Sequence, residues 1–176
     1  HFRRPFVDFG EGSTTAQDRE EARRDRQLAA SDRRQSGVDD LTGARRRGVG
    51  LEELQNEMKR VRREGGGLVA AFVDVDGLKK VNDALGHDAG DRLLQSVAAG
   101  LRRHMRSYDL LVRLGGDEFL CAMAGVDGRE AARRFDFVKS QLLEEGASIT
   151  VGFGEMLDGD GPAELIRRAD RDLLEQ

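Results

Sequence analysis

From Leu68 to Val75 the chain reads Leu-Val-Ala-Ala-Phe-Val-Asp-Val, almost without a polar residue. A run this short and this apolar is typical of a strand buried on both faces of its sheet. Gly65-Gly-Gly67 precedes it and breaks an amphipathic helix in which Leu51, Leu54, Met58 and Val61 recur at helical spacing. At its far end stand Asp74 and Asp76. Period-two alternation puts both carboxylates on one side, at a strand end, where sheets covered by helices tend to bind ligands. Capping the helix that follows is an equally ordinary job for either.

A second feature is Arg113-Leu-Gly-Gly-Asp-Glu-Phe119. Strand-like runs at 109–114 and 118–123 flank it, so it reads as the tip of a β-hairpin. The glycines let the backbone turn with positive φ and let a bulky anion approach the main chain. The adjoining acids offer the hard oxygen ligands that Mg²⁺ prefers. Hairpins also use Gly and Asp for purely conformational reasons, so the turn carries weight only with its company.

The rest of the pattern predicts helices at 78–85, 90–105, 129–143 and 162–174, the last with Pro162 near its start, and a strand at 148–153. The order α-β-α-α-β-β-α-β-α suits a sheet with helices packed on it. Charged residues make up 35% of the chain and hydrophobic ones 38%, and the imbalance is concentrated at the N-terminus. There Asp-Arg recurs at 18–19, 25–26 and 32–33, with Ala22 and Ala29 in heptad register and Leu28 the one large apolar residue over 16–36. Such a helix either pairs weakly with a copy of itself or stands solvated, held by i,i+4 charge pairs. Residues 1–36 are therefore read as a tail and charged helical linker, and 37–176 as the folded domain. A net charge of −4 gives no general attraction to nucleic acid or anionic membrane. The one cysteine, Cys121, lies in an apolar strand and excludes an internal disulfide, which fits a reducing, cytoplasmic compartment. No apolar run approaches the length of a bilayer span, and no signal peptide is evident. Beginning at His1 rather than Met, the chain reads as a fragment with a sensor or membrane anchor upstream.

Residues 72–91 read Phe-Val-Asp-Val-Asp-Gly-Leu-Lys-Lys-Val-Asn-Asp-Ala-Leu-Gly-His-Asp-Ala-Gly-Asp. Together with Gly115-Gly-Asp-Glu-Phe119 they resemble the GGDEF domain, the catalytic module of diguanylate cyclases. The family pattern of Asp-x-Asp, Lys, Asn-Asp, Gly-His, Gly-Asp and Gly-Gly-Asp-Glu-Phe is met in order and spacing. Asp39-Asp-Leu-Thr42 and Ala169-Asp-Arg-Asp-Leu-Leu174 extend the resemblance over 37–176. The chain departs from the pattern at Ala44-Arg-Arg-Arg-Gly-Val-Gly50, which lacks the family's Asn-Arg-Arg, and at Leu174, where Tyr is usual. The family's phosphate-binding Lys and Arg would fall beyond Gln176. The resemblance implies an α+β fold, a ferredoxin-like palm whose central sheet is mostly antiparallel, as in nucleotidyl cyclases.

It also implies roles for single residues. Asp74 and Asp117 would be the carboxylates of a Mg²⁺ (or Mn²⁺) site, with the Val75 carbonyl as a further ligand. Asp117 doubles as candidate base. Glu118 points to the opposite face by alternation and joins the metal shell if the hairpin is bulged, and is otherwise structural; Asp76 is a cap or supporting group. Lys79 and the backbone N–H groups of Gly115 and Gly116 would meet the phosphates. Asn82 and Asp91 would read guanine, whose N1–H and N2–H₂ suit a carboxylate while an amide serves as donor and acceptor together. On the residues alone, Asn82 is equally an exposed mid-helix residue, Asp91 an N-cap for a helix beginning at Arg92, and His87 a loop-orienting or structural histidine. Arg106-Ser-Tyr-Asp109 matches the family's Arg-x-x-Asp inhibitory site, with Arg forked onto guanine O6 and N7. The plain alternative there is an i,i+3 salt bridge.

The expected enzyme condenses two GTP, one on each protomer of a two-fold homodimer, into cyclic di-GMP and pyrophosphate, and its product inhibits it. An upstream sensor is its expected partner; nucleic acid, and membrane contact by this fragment, are not. A non-catalytic module that senses GTP or cyclic di-GMP is the rival reading, disfavoured because the signature is intact. A cyclase for ATP is disfavoured because Asp91 suits guanine's donors.

Overall fold

A computed structural model describes residues 37–175; the heptad-like stretch at 16–36 lies outside the described residues. In chain order the elements are β1 (Arg45–Arg46), α1 (Arg47–Glu64), β2 (Leu68–Val75), α2 (Leu78–Leu85), α3 (His87–His104), β3 (Leu110–Arg113), β4 (Glu118–Ala124), α4 (Gly128–Glu144), β5 (Ile149–Glu155) and α5 (Pro162–Leu174). One sheet runs β1-β3-β4-β2-β5. β1 lies parallel to β3, and the β3–β4, β4–β2 and β2–β5 pairs are antiparallel. From β2 onward this is the ferredoxin-like palm, an α+β fold.

β2 shows why its sequence is apolar throughout. Val69, Ala71, Val73 and Val75 enter one core with Leu94, Val97 and Leu101 of α3 and Phe135, Val138 and Leu142 of α4. Leu68, Ala70 and Phe72 enter a second core with Leu54, Met58 and Val61 of α1 and Leu165 and Ala169 of α5. Period-two alternation feeds the two cores by turns. Each fully buried Leu or Phe among them stabilises the fold by about 1.5–3 kcal/mol relative to exposure. Cys121, wholly buried on β4, has its thiol pushed up by that burial and is inert. Among the described residues no helix is long and apolar enough to cross a membrane.

Two boundaries differ from the sequence reading. The stretch after Thr42 forms β1 and the first turn of α1, with Gly48 and Gly50 inside the helix. Glycine is a poor helix former, but a Cβ on Gly50 would come within 2.4 Å of the Val112 side chain. Its absence lets α1 lie close on β3. Likewise α3 begins at His87 rather than Gly90, because Gly86 alone, at φ +85°, connects it to α2. Asp91 therefore lies inside α3 and caps nothing.

Candidate active site

The acids gather where β2 and β4 end together. Asp74 stands in register opposite Glu118 of β4 and Thr150 of β5. The Val75 N–H donates to the Asp117 carbonyl at 3.0 Å, which sets Asp117 beside Val75 at the hairpin mouth. Directly opposed residues of an antiparallel pair share a face. Glu118 therefore shares the face of Asp74 with no bulge required. Asp76 has another task. Its carboxylate accepts from the Ser148 hydroxyl at 2.6 Å and the Thr150 hydroxyl at 2.8 Å, and its N–H donates to the Ser148 carbonyl. The N-cap of α2 is Gly77, with no side-chain cap, so Asp76 ties β2 to β5 instead of capping the helix.

Burial is the largest cause holding the Asp74 carboxyl above the usual carboxylate range, and the charges of Asp117, Asp76 and Glu118 add to it. Among the described residues neither Asp74 nor Asp117 has a hydrogen bond or ion pair to its carboxylate. No three acidic, His or Cys side chains among the described residues form a cage for an ion. Mg²⁺ needs none: it binds through one or two carboxylates plus substrate phosphates and keeps several waters. Two crowded, unpartnered carboxylates at adjacent strand ends fit that requirement.

The hairpin tip is held from behind by Arg113, the last residue of β3. Its Nε donates to the Gly115 carbonyl at 3.2 Å and its Nη2 to the Gly116 carbonyl at 2.8 Å. Its Nη1 reaches Asp39 at 3.1 Å. With both glycine carbonyls engaged, the peptide planes of the tip are fixed. Asp39 also accepts from the Thr42 hydroxyl at 2.6 Å and the Thr42 N–H at 3.0 Å. Burial opposes its ionisation, but the Thr42 bonds and Arg113 outweigh burial and hold the carboxyl below the usual range. The turn that opens the domain and the Gly-Gly tip thus form one hydrogen-bonded unit. Reading by motif passed over Arg113; its signal was a five-donor fork ending a strand just before a turn rich in carbonyls. The altered loop is secured in the same manner. Arg46 Nε donates to the Val38 carbonyl at 2.7 Å and Nη2 to Asp40 at 2.9 Å.

The remaining predicted residues lie on α2 and α3. Lys79 is exposed on the first turn of α2 and Asn82 is half-buried on the second. His87 and Asp91 are exposed on α3. The Asn82 amide lies against Gly90, the residue before Asp91. The two proposed base readers are thereby brought onto one surface by helix packing.

The family model described as "Diguanylate cyclase, GGDEF domain" matches residues 36–176. The chain belongs to the GGDEF family. Its GGDEF domain is 40% identical over 114 residues to diguanylate cyclase DgcP of Pseudomonas aeruginosa, covering 64% of this chain and 16% of that protein. It is 32% identical over 152 residues to the response regulator PleD of Caulobacter vibrioides, covering 78% of this chain and 33% of that one. The chain thus spans a third or less of the length of these relatives. In fold it is similar to the GGDEF domain of DgcB from Caulobacter crescentus, solved in complex with c-di-GMP. The TM-score is 0.75 and the identity 22%, over 80% of this chain and 86% of that one.

A second constellation of this GGDEF domain sits on the α3–β3 connection. Arg106 and Asp109 do not form the side-chain salt bridge of the plain alternative. Instead Asp109 Oδ2 accepts the Arg106 backbone N–H at 2.8 Å. The Arg106 guanidinium donates to the Tyr108 hydroxyl at 2.9 Å and lies 5.8 Å from that ring's centroid. Asp109 Oδ1 is buried with no partner. Burial is the main cause raising the Asp109 carboxyl, against the Arg106 N–H and the charges of Arg106 and Arg134. Arg106, Tyr108 and Asp109, with Arg45 and Arg102, line a hollow of about 570 Å³.

Proposed function

We propose that this GGDEF domain is a diguanylate cyclase that joins two GTP molecules into cyclic di-GMP. The observation that carries the reading is the pair of unpartnered carboxylates, Asp74 and Asp117, set beside a Gly-Gly tip whose carbonyls Arg113 already occupies. With the carbonyls turned to Arg113, the Gly116 amide is left to the triphosphate, whereas the Gly115 N–H, expected from the sequence to meet phosphate as well, donates to the Glu118 carbonyl at 3.4 Å. Lys79 neutralises phosphate charge, and Asn82 and Asp91 read the guanine edge, with His87 at the head of the same helix. Bound Mg²⁺, held by Asp74, Asp117 and the Val75 carbonyl with Glu118 close by, would neutralise the charge that develops at phosphorus.

One domain holds one GTP, so the nucleophile comes from the nucleotide of a second copy. Each ribose 3′-oxygen forms a bond to the partner nucleotide's α-phosphorus, and the α–β bridging P–O bond breaks. Pyrophosphate leaves with the bond's electron pair, and Asp117 is the candidate to take the hydroxyl proton. Positioning and electrostatics carry such transfers. Product binding in the Arg106–Asp109 hollow would restrain the domain: Arg106 forks onto guanine, and Asp109 holds the turn that presents it by accepting the Arg106 N–H. The 40% identity to diguanylate cyclase DgcP agrees with this substrate and product class.

The test is Asp117→Asn, incubated with GTP and Mg²⁺ beside the parent chain. The expected result is loss of cyclic di-GMP with unchanged circular dichroism, since the substitution removes charge and little volume. Turnover near the parent rate would overturn the role of Asp117. A parent chain that binds GTP or cyclic di-GMP without making product would favour a receptor module.

A further inference from the structure

Gly86 reverses the chain in a single residue, so the first turn of α3 lies back against α2. At the contact α3 presents Gly90, which is buried. A Cβ built there would stand 2.0 Å from Asn82 Oδ1 and 2.8 Å from Asn82 Cγ, with Leu78 Cδ1 next at 3.1 Å. Real Cβ contacts do not reach the first two distances. The space of the absent side chain is where the Asn82 amide sits, and among the described residues that amide makes no hydrogen bond. Helix formation gives no reason for glycine at this position, since glycine is among the poorest helix formers. The reason is steric and lies on the neighbouring helix.

We propose that Gly90 is a specificity-determining position: its missing side chain seats the Asn82 amide next to Asp91, and any side chain there turns that amide off the base. The inference rests on the reading of Asn82 and Asp91 as guanine ligands. The group that would give way is the far end of a side chain, free to change rotamer, and not a backbone segment. A methyl group at 90 therefore disturbs recognition and spares the fold. Guanine needs both a donor and an acceptor correctly aimed from one amide, so a rotated Asn82 loses both.

The test uses the whole chain with Mg²⁺ and the α,β-methylene analogues of GTP and ATP, titrated calorimetrically. In Gly90→Ala the GTP analogue should bind about tenfold more weakly. Binding of the ATP analogue should not change, and the thermal midpoint should equal or exceed the parent's, because Ala favours the helix. Asn82→Ala should show the same loss, and the double substitution no more than Asn82→Ala alone, since both act through one amide. If Gly90→Ala binds the GTP analogue like the parent while Asn82→Ala does not, the proposal is overturned and the guanine reading stands. If Asn82→Ala also binds like the parent, the guanine reading fails and the proposal falls with it. Loss of the fold in Gly90→Ala would show that backbone yields rather than the amide, and would likewise overturn it.

Discussion

Asp74 is an ionisable group kept where ionisation is unfavourable. Burial first, then Asp117, Asp76 and Glu118, raise its carboxyl above the ordinary 3.8. Between that value and the raised one, the folded state binds the proton more tightly than the unfolded state. Stability therefore falls as pH rises through this window, and the penalty is fully present at neutral pH. Asp74→Asn removes the penalty. We expect its thermal midpoint without divalent ions at pH 7 to rise by about 1–3 °C while cyclase activity is lost. A lowered midpoint would show that the charge is already compensated in the fold. Glycines sort by the same local accounting. At Gly152 an added Cβ would lie 2.2 Å from the Ala169 carbonyl oxygen and 2.2 Å from the Leu173 nitrogen, both backbone atoms of α5. Nothing there can rotate aside, so Gly152→Ala should cost about 3 kcal/mol, read as a lower urea midpoint. At Gly90, where a side chain yields, the cost falls on recognition instead.

Among the elements, the β3–β4 hairpin and the turn at 39–42 are coupled by one guanidinium. Arg113→Ala removes three hydrogen bonds and should destabilise the domain by about 1–3 kcal/mol. Because the tip would lose its fixed peptide planes, KM for GTP should rise in the residual folded fraction. Arg113→Lys keeps the charge but not the fork, and should restore stability more than KM. An unchanged KM in both would separate the clamp from the phosphate site. The clamp also has a pH signature. The Asp39 carboxyl lies below its ordinary 3.8 when folded, so its stabilisation is complete above that value. It is lost as pH falls through the lower folded value. Asp39→Asn should flatten the acid limb of the stability–pH curve, and an identical limb would place the acid sensitivity elsewhere.

For the whole molecule the two constellations lie at opposite ends of β3. That strand has four residues, Leu110–Arg113, or about 13 Å at 3.3 Å per residue. The Gly-Gly tip follows its last residue and the Arg106–Asp109 turn precedes its first. Arg106→Ala should therefore weaken cyclic di-GMP binding without harming turnover. Loss of a bidentate guanine contact corresponds to about 1–3 kcal/mol, roughly a ten- to hundredfold shift in Kd. Calorimetric titration of parent and variant with cyclic di-GMP measures it, and equal affinities would leave the turn a structural feature only.

What the sequence determined by itself was local and periodic. Eight residues without a solvent face required a strand covered on both sides, Gly-Gly between two strand-like runs required a hairpin, and Asp74 and Asp117 stood at the ends of those strands. What the tertiary structure decided was partnership between distant residues. Asp39 and Arg113 are 74 residues apart, as are Asp76 and Thr150, and no local pattern pairs them. The same holds for Glu118 opposite Asp74, which depends on strand register. Helical Gly50 and Asp91 went against local propensity because a neighbour's shape, Val112 for one and the tight Gly86 reversal for the other, outweighed it. Periodicity is written within a few residues of chain; the choice of partner is made only when the layers close.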